Sequence, residues 1–297
     1  MVVGPRAPAD PLTVAAVAFV LHHGRPEAIA LVEKAAAWLV EGGHQVRLPA
    51  DDAVHAGLER YACDDDALVA GLDLAVSLGG DGTMLRTVDL AADSVPVLGV
   101  NFGTLGYLTE IEPTALVGAL ERFFAGDFVV ERRMRMVVDV DAASCAGRYP
   151  ALNEAVLGKT PTGQIVRISV LVDGEYFTTY HADGLIIATP TGSTAYAWSA
   201  GGPIISPVAE ALLLTPVAPH MLFDRSMVLP RETCVRLEVV ADRSASLSVD
   251  GRNLGLLVAG DTVVCTASPT PARLVTFGTR NFLGILKAKF GLNDRGP

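Results

Sequence analysis

The sequence predicts an α/β N-terminal domain built on a parallel sheet, then a β-rich, sandwich-like domain, with a last helix that returns to the first domain. Three observations predict it. Apolar strands alternate with helix-period segments from Thr13 to Phe124. From about residue 127 helical periodicity becomes scarce, and two Asp-Gly pairs sit between apolar runs. At the end, Phe282, Ile285, Leu286 and Phe290 line one helical face, which has no partner in a β domain. The expected limits are 12–126 for the α/β domain, 127–275 for the β-rich domain and 276–297 for the returning helix.

The first eleven residues, rich in Pro, Gly and Ala, read as a loose lead-in. Thr13 to Leu21 is a strand. Pro26 to Glu41 is a helix with Ala28, Leu31, Val32, Ala35 and Leu39 at helical spacing, stopped by Gly42-Gly43. Gln45 to Leu48 is a short strand, and Leu72 to Leu78 is an apolar run ended by Gly79-Gly80. Thr83 to Ala92 reads as helix, Val95 to Val100 as strand, and Pro113 to Phe124 as helix. Beyond, Val166–Val172 and Glu175–Tyr180 form a hairpin about Asp173-Gly174. Ser246–Val249 and a strand from Arg252 form another about Asp250-Gly251. Val235, Leu237 and Val239 alternate with Arg236 and Glu238, as in a half-buried strand.

The chain has 297 residues, half of them hydrophobic, which is ample for a core. Its net charge of -10 speaks against sequence-independent nucleic-acid binding, which needs basic surface. A local anionic-ligand pocket remains compatible with it. Cys63, Cys145, Cys234 and Cys265 are scattered, without Cys-x-x-Cys or zinc-site spacing. They read as free thiols in a reducing compartment, with no protein metal cluster. The apolar run Leu12 to Leu21 is too short to span a bilayer, and its flanks make a bad cleavage site. The expected address is the cytoplasm, with no membrane partner.

Four stretches carry chemistry. Gly79-Gly80-Asp81-Gly82-Thr83 lies between a strand and a helix, where glycines and free amides suit a phosphate. Asp81 is the odd member, because a carboxylate repels such a guest. It makes sense as a proton acceptor or magnesium holder. Arg86, one turn on, could offset negative charge nearby. Gly99 to Tyr107 also follows a strand; Phe102 or Tyr107 could flank a purine, although a tight turn with a packed aromatic explains the stretch as well. Asn153-Glu154 interrupts an apolar segment, and either bonds a neighbouring loop's backbone or meets ribose hydroxyls. The longest stretch is His181 to Pro203. There an apolar strand with Asp183 at its entrance runs into a loop dense in hydroxyls: Thr191, Ser193, Thr194, Tyr196 and Ser199. His22, His23, His44, His55 and His220 show no ligand spacing and read as surface or packing residues.

Together the four stretches resemble the NAD kinase family, in the same order and over nearly the whole chain after residue 12. The Gly-Gly-Asp-Gly-Thr loop is only moderately specific, since diacylglycerol, sphingosine and phosphofructokinases carry similar loops. Thr189-Pro-Thr-Gly-Ser-Thr-Ala-Tyr196 with Ser199-Ala-Gly-Gly202, paired with Asn153-Glu154, is far more specific. The resemblance implies NAD and ATP as partners, with the NAD site between the domains of a homodimer or homotetramer. It implies Asp81 as proton acceptor, with Gly82 and Arg86 helping to hold substrate. Gly79, Gly80, Gly82 and Thr83 would form the phosphate-donor loop. Asn153, Glu154, His181, Asp183, Thr194, Ala195, Tyr196 and Ser199 would bind the dinucleotide. Related enzymes often have Arg where this chain has His181. The implied reaction is phosphorylation of the adenosine 2′-hydroxyl of NAD, with ATP or polyphosphate as donor and Mg²⁺ or another divalent cation as cofactor. The alternative is a lipid kinase of the diacylglycerol or sphingosine type, which shares the first loop.

Overall fold

The computed structural model describes residues 14–91, 95–103, 105–160, 165–240, 243–278 and 281–292. The lead-in expected over the first eleven residues, the proposed strand start at Thr13, the proposed helix end at Ala92, and Thr104 lie outside them. The chain divides into two compact units, one of residues 1–132 with 272–297, the other of residues 133–271.

Unit 1 begins with β1 (Ala16–Leu21), buried along its whole length, and α1 (Pro26–Glu41). Pro26 opens α1, where its missing N–H costs nothing. Ala28, Val32, Ala35, Ala36 and Leu39 form the buried face. β2 (Gln45–Pro49) follows, then four short elements absent from the periodicity reading: α2 (Ala50–Ala56), a 3₁₀ turn (Glu59–Tyr61), β3 (Ala62–Cys63) and α3 (Asp65–Val69). β4 (Leu74–Gly79) enters the glycine loop, and α4 (Asp81–Leu90) leaves it. β5 (Val97–Asn101) comes next. The segment expected as one helix from Pro113 splits into a 3₁₀ turn, Pro113–Ala115, and α5 (Leu116–Phe124). β6 (Val129–Arg133) closes this part.

Unit 2 is built of β7 (Met136–Asp141), β8 (Gly147–Ala151), β9 (Glu154–Lys159), β10 (Val166–Val172), β11 (Glu175–Ala182) and β12 (Gly184–Ala188). A short helix α6 (Tyr196–Ser199) interrupts the strands. They resume with β13 (Ala211–Val217), β14 (Met227–Pro230), β15 (Val235–Val239), β16 (Ala245–Val249), β17 (Arg252–Leu257) and β18 (Thr262–Ala267). Two six-stranded sheets result, ordered β11-β10-β15-β18-β7-β8 and β14-β13-β12-β9-β16-β17. One core draws on both, including Val138, Ile168 and Leu237 from the first and Leu157, Leu185, Ile187 and Leu247 from the second. Both Asp-Gly hairpins are present, and each turn holds its two residues at positive φ: 52° and 85° at Asp173-Gly174, 47° and 77° at Asp250-Gly251. That is the twist a two-residue hairpin needs.

β12 is apolar on both faces for a reason. Leu185 and Ile187 enter the sandwich core, while Ile186 and Ala188 pack with Ala197 of α6 and Leu213 of β13 on the other side. This second small core seats the hydroxyl-rich loop.

The chain then returns to unit 1 with β19 (Ala272–Thr276) and α7 (Phe282–Phe290). The sheet of unit 1 is ordered β3-β2-β1-β4-β5-β19-β6. β1, β4, β5 and β19 run parallel. Phe282, Ile285 and Leu286 of the expected α7 face are half-buried, Phe290 is exposed, and Lys289 Nζ sits 4.5 Å from the centroid of the Tyr107 ring.

Leu247 is wholly buried in the sandwich core, whereas Leu222 is fully exposed. Leu247→Ala is expected to cost about 2–5 kcal/mol in urea unfolding, and Leu222→Ala less than about 0.5 kcal/mol.

Candidate functional site

In unit 1 the site starts where β4 meets α4. Asp81, half-exposed, is the first residue of α4. Its carboxylate accepts the backbone N–H of Tyr107 at 2.9 Å and of Leu108 at 3.0 Å. It thereby ties the glycine loop after β4 to the glycine-rich stretch after β5. A Cβ on Gly106 would run into this carboxylate, so only glycine lets the two segments meet. Gly79 likewise makes room for the Thr83 side chain.

Beside the loop lies a cleft of about 540 Å³ lined by Leu21, His22, His23, Arg25, Gly80, Gly82, Thr83, Arg86 and Gly103. Arg86 is committed to Asp52 of α2. Its Nη2 lies 2.7 Å from Asp52 Oδ1 and its Nη1 3.1 Å from Oδ2. The charge that Arg86 offsets is therefore that of Asp52, and Asp81 is held by amides. Asp52 has no exposed surface and also accepts from Leu21 N–H at 2.7 Å and pairs with His23 Nε2 at 2.8 Å. His23 stacks on His55, with centroids 4.5 Å apart. His22 and His23, read from sequence as surface or packing residues, thus sit on the cleft wall. Asp52 carries no sequence signal beyond its place in the pair Asp51-Asp52. Phe102 packs against the core of unit 1, the plainer of its two readings.

In unit 2 a second carboxylate organises backbone. Asp250, in the β16–β17 turn, accepts the N–H of Leu152 at 2.7 Å, Asn153 at 2.8 Å and Glu154 at 3.0 Å. Asn153 passes the order on: its carbonyl accepts the Thr189 N–H at 2.8 Å. Gly192 packs so tightly on the Asn153 carbonyl that a Cβ would overlap it. Ser193, fully buried, donates to the Pro190 carbonyl at 2.7 Å and accepts from Ile205 N–H at 3.0 Å. Thr194 Oγ1 donates to the Thr191 carbonyl at 3.2 Å. Thr191 is buried too, so the two hydroxyls at Thr191 and Ser193, read as donors for a ligand, are turned inward. Tyr196 and Ser199 remain exposed, Thr194 and Ala195 half-buried. Asp183 is half-buried and ion-paired to Lys159 at 2.6 Å. The half-buried His181 lies near the end of β11, its carbonyl accepting His220 N–H at 2.7 Å.

Glu154 is buried, and its Oε2 has no partner among the described residues. Burial first, and the Asp250 carboxylate second, push its carboxyl up to about 8, against the pull of the Tyr196 backbone N–H. Burial also raises Asp250, but three amides and Arg135 oppose that. Of the two acids, Glu154 is the one that keeps its proton near neutrality, because it has fewer donors.

Two sequence-family models match the chain: one described as the ATP-NAD kinase N-terminal domain over residues 17–128, one as the ATP-NAD kinase C-terminal domain over residues 152–277. An NAD kinase of Heliobacterium modesticaldum is 42% identical over 283 residues, covering 92% of this chain and 97% of that protein. An NAD kinase of Syntrophotalea carbinolica is 37% identical over 273 residues, covering 91% and 96%. Among solved structures, yeast NADH kinase complexed with NADH has a TM-score of 0.87 at 25% identity, covering 96% of this chain and 89% of that one. An NAD kinase from Archaeoglobus fulgidus in complex with ATP has a TM-score of 0.69 at 26% identity, covering 93% and 99%.

The Glu154 carboxyl gives a pH dependence with a definite sign. Its value rises from the ordinary 4.5 to about 8 on folding, so between these limits the folded protein holds a proton that the unfolded chain has lost. Stability is fullest below the lower value and falls as pH rises to the upper one. Glu154→Gln is expected to flatten that slope in unfolding measured from pH 5 to 8. An unchanged slope would mean that Glu154 is ionised in the fold.

Proposed function

The chain belongs to the NAD kinase family, and from that membership we infer its reaction: a phosphoryl group passes from ATP to the adenosine 2′-hydroxyl of NAD, giving NADP. It is a phosphotransferase with an alcohol as acceptor. The observation that carries this is the match of both domains to ATP-NAD kinase models, with 42% identity across 92% of the chain. No comparison supports a lipid kinase.

We propose that Asp81 is the base. A ribose hydroxyl is a weak acid, so its proton has to leave as the oxygen attacks. Atom O2′ bonds to the γ-phosphorus, its proton moves to the Asp81 carboxylate, and the bond to the bridging oxygen breaks to release ADP. An ionised carboxylate offers about four acceptor positions. The amides of Tyr107 and Leu108 take two. They leave room for the hydroxyl while fixing the direction of the carboxylate. Gly79, Gly80, Gly82 and Thr83 form the donor loop, their amides facing phosphate oxygens. Asn153, Glu154, His181, Asp183, Thr194, Ala195, Tyr196 and Ser199 bind NAD. Glu154, holding its proton, can donate to that ligand as well as accept from it.

Mg²⁺, when bound, neutralises charge on the transferred group. Among the described residues no group of three or more His, Cys, Asp or Glu is arranged to hold a metal. The described residues therefore do not fit a protein-only metal cage, and the donor's phosphates would supply oxygens to the ion. Polyphosphate is a second donor that the same loop would accept. Among the described residues no helix is long and apolar enough to cross a membrane. The proposed address is the cytoplasm. A homodimer or homotetramer is proposed on the family's likeness, and Tyr176 and Phe177 on the edge strand β11 offer exposed apolar surface for one.

Purified protein with NAD, ATP and Mg²⁺ is expected to yield NADP, read by a dehydrogenase that requires it. Asp81→Asn keeps the side chain's size and is expected to bind NAD while lowering turnover about a hundredfold or more. Absence of NADP with ATP and with polyphosphate would contradict the reaction. Undiminished turnover by the variant would remove Asp81 as the base.

A further inference from the structure

The two amides that hold Asp81 are not equally anchored. Leu108 is buried, as is Thr109 after it, and beyond them the N–H groups of Glu110 and Ile111 reach the Gly99 carbonyl at 2.9 and 3.2 Å. Tyr107 comes one residue earlier, is half-buried, and follows Gly106, which has no side chain to pack. Its N–H is therefore the looser half of the grip. What lies over its ring comes from the other end of the chain: Lys289 Nζ, 4.5 Å from the centroid. Lys289 stands in the last turn of α7, a helix capped by the Asn281 side chain, which accepts Gly284 N–H at 2.7 Å, and closed by Gly291 at a φ of 61°. No residue of α7 is buried, so the helix adds little to the core. The ring meets the cation as a neutral phenol, because burial first and the Asp81 carboxylate second raise its ionisation above the ordinary 10. The face of a neutral ring attracts a cation.

We propose that Lys289 is a positioning residue for Asp81: its ammonium, over the face of the Tyr107 ring, holds in place the N–H that orients the carboxylate. Without it the ring would turn between rotamers and loosen the backbone that carries it. A cation–π contact near the surface adds little to global stability, but it biases a local opening equilibrium. The helix dipole explains why a lysine suits the last turn of α7. It does not explain why that lysine stands on the ring of the residue whose amide meets Asp81. The helix returned from the end of the chain thus has a task in the site of unit 1. The proposal rests on Asp81 as the base, but exchange at Tyr107 tests the contact without turnover.

Lys289→Met keeps a long, flexible side chain and removes the charge. In the full chain it is expected to speed amide exchange at Tyr107 about threefold and to lower kcat by about the same factor, the scale of one exposed cation–π contact. KM for ATP and for NAD is expected to change less than about twofold. Lys289→Arg, whose guanidinium also lies on aromatic faces, is expected to restore both exchange and kcat. In a Tyr107→Leu background, where no ring is left, Lys289→Met is expected to have no further effect. A loss that arginine does not recover, losses that multiply in the double variant, a change in KM alone, or unaltered exchange at Tyr107 would overturn the positioning role. Faster exchange with unmoved kcat would overturn it too, provided Asp81→Asn has lost turnover. Full turnover in Asp81→Asn would instead overturn the reading of Asp81 as the base.

Discussion

Unit 1 turns on a carboxylate answered by two backbone amides. Asp81 closes the gap between the loop after β4 and the stretch after β5 through Tyr107 and Leu108. Gly106 has to be glycine for the approach to be possible. A charge-assisted bond to backbone N–H is stronger than a neutral one, and two of them set both oxygens of the carboxylate in one orientation. The same residue that repels phosphate by charge is thus held in one direction by peptide dipoles. That is the preorganisation a base needs, since little has to move at the moment of transfer.

Unit 2 uses the same physical idea at a different place. Asp250 sits in a hairpin turn at positive φ and spends its carboxylate on three consecutive amides, Leu152 to Glu154. From there order spreads by contact: the Asn153 carbonyl takes Thr189, Gly192 packs on it, and α6 seats on the outer face of β12. Holding Glu154 so close to a second acid and away from water keeps it protonated. Both units therefore use an acidic side chain to fix irregular backbone.

The sequence was legible where a physical rule is local. Pro26 and the spacing of Ala28, Val32, Ala35 and Leu39 define α1. The two Asp-Gly pairs define both hairpins, because few other residues tolerate that turn. α2, β3 and α3 were not legible, since each is too short to establish a period. Asp52 reads as a surface acid in Ala-Asp-Asp-Ala, and only the long-range contact with Arg86 reveals it. Asp250 reads as a turn residue, and its second use depends on residues almost a hundred positions earlier. In the hydroxyl-rich loop, Thr191 and Ser193 are buried. Ser193 bonds backbone inside the loop, a local competition that composition does not display.

Amide hydrogen exchange resolved at Tyr107 and Leu108 tests the constraint on Asp81 most directly. Both N–H groups are expected to be protected in the unaltered chain and to exchange at least about tenfold faster in Asp81→Ala, while amides in the centre of β4 keep their protection. Equal exchange at the two positions with and without the carboxylate would contradict the account, because the Asp81 carboxylate would then have nothing holding it in place.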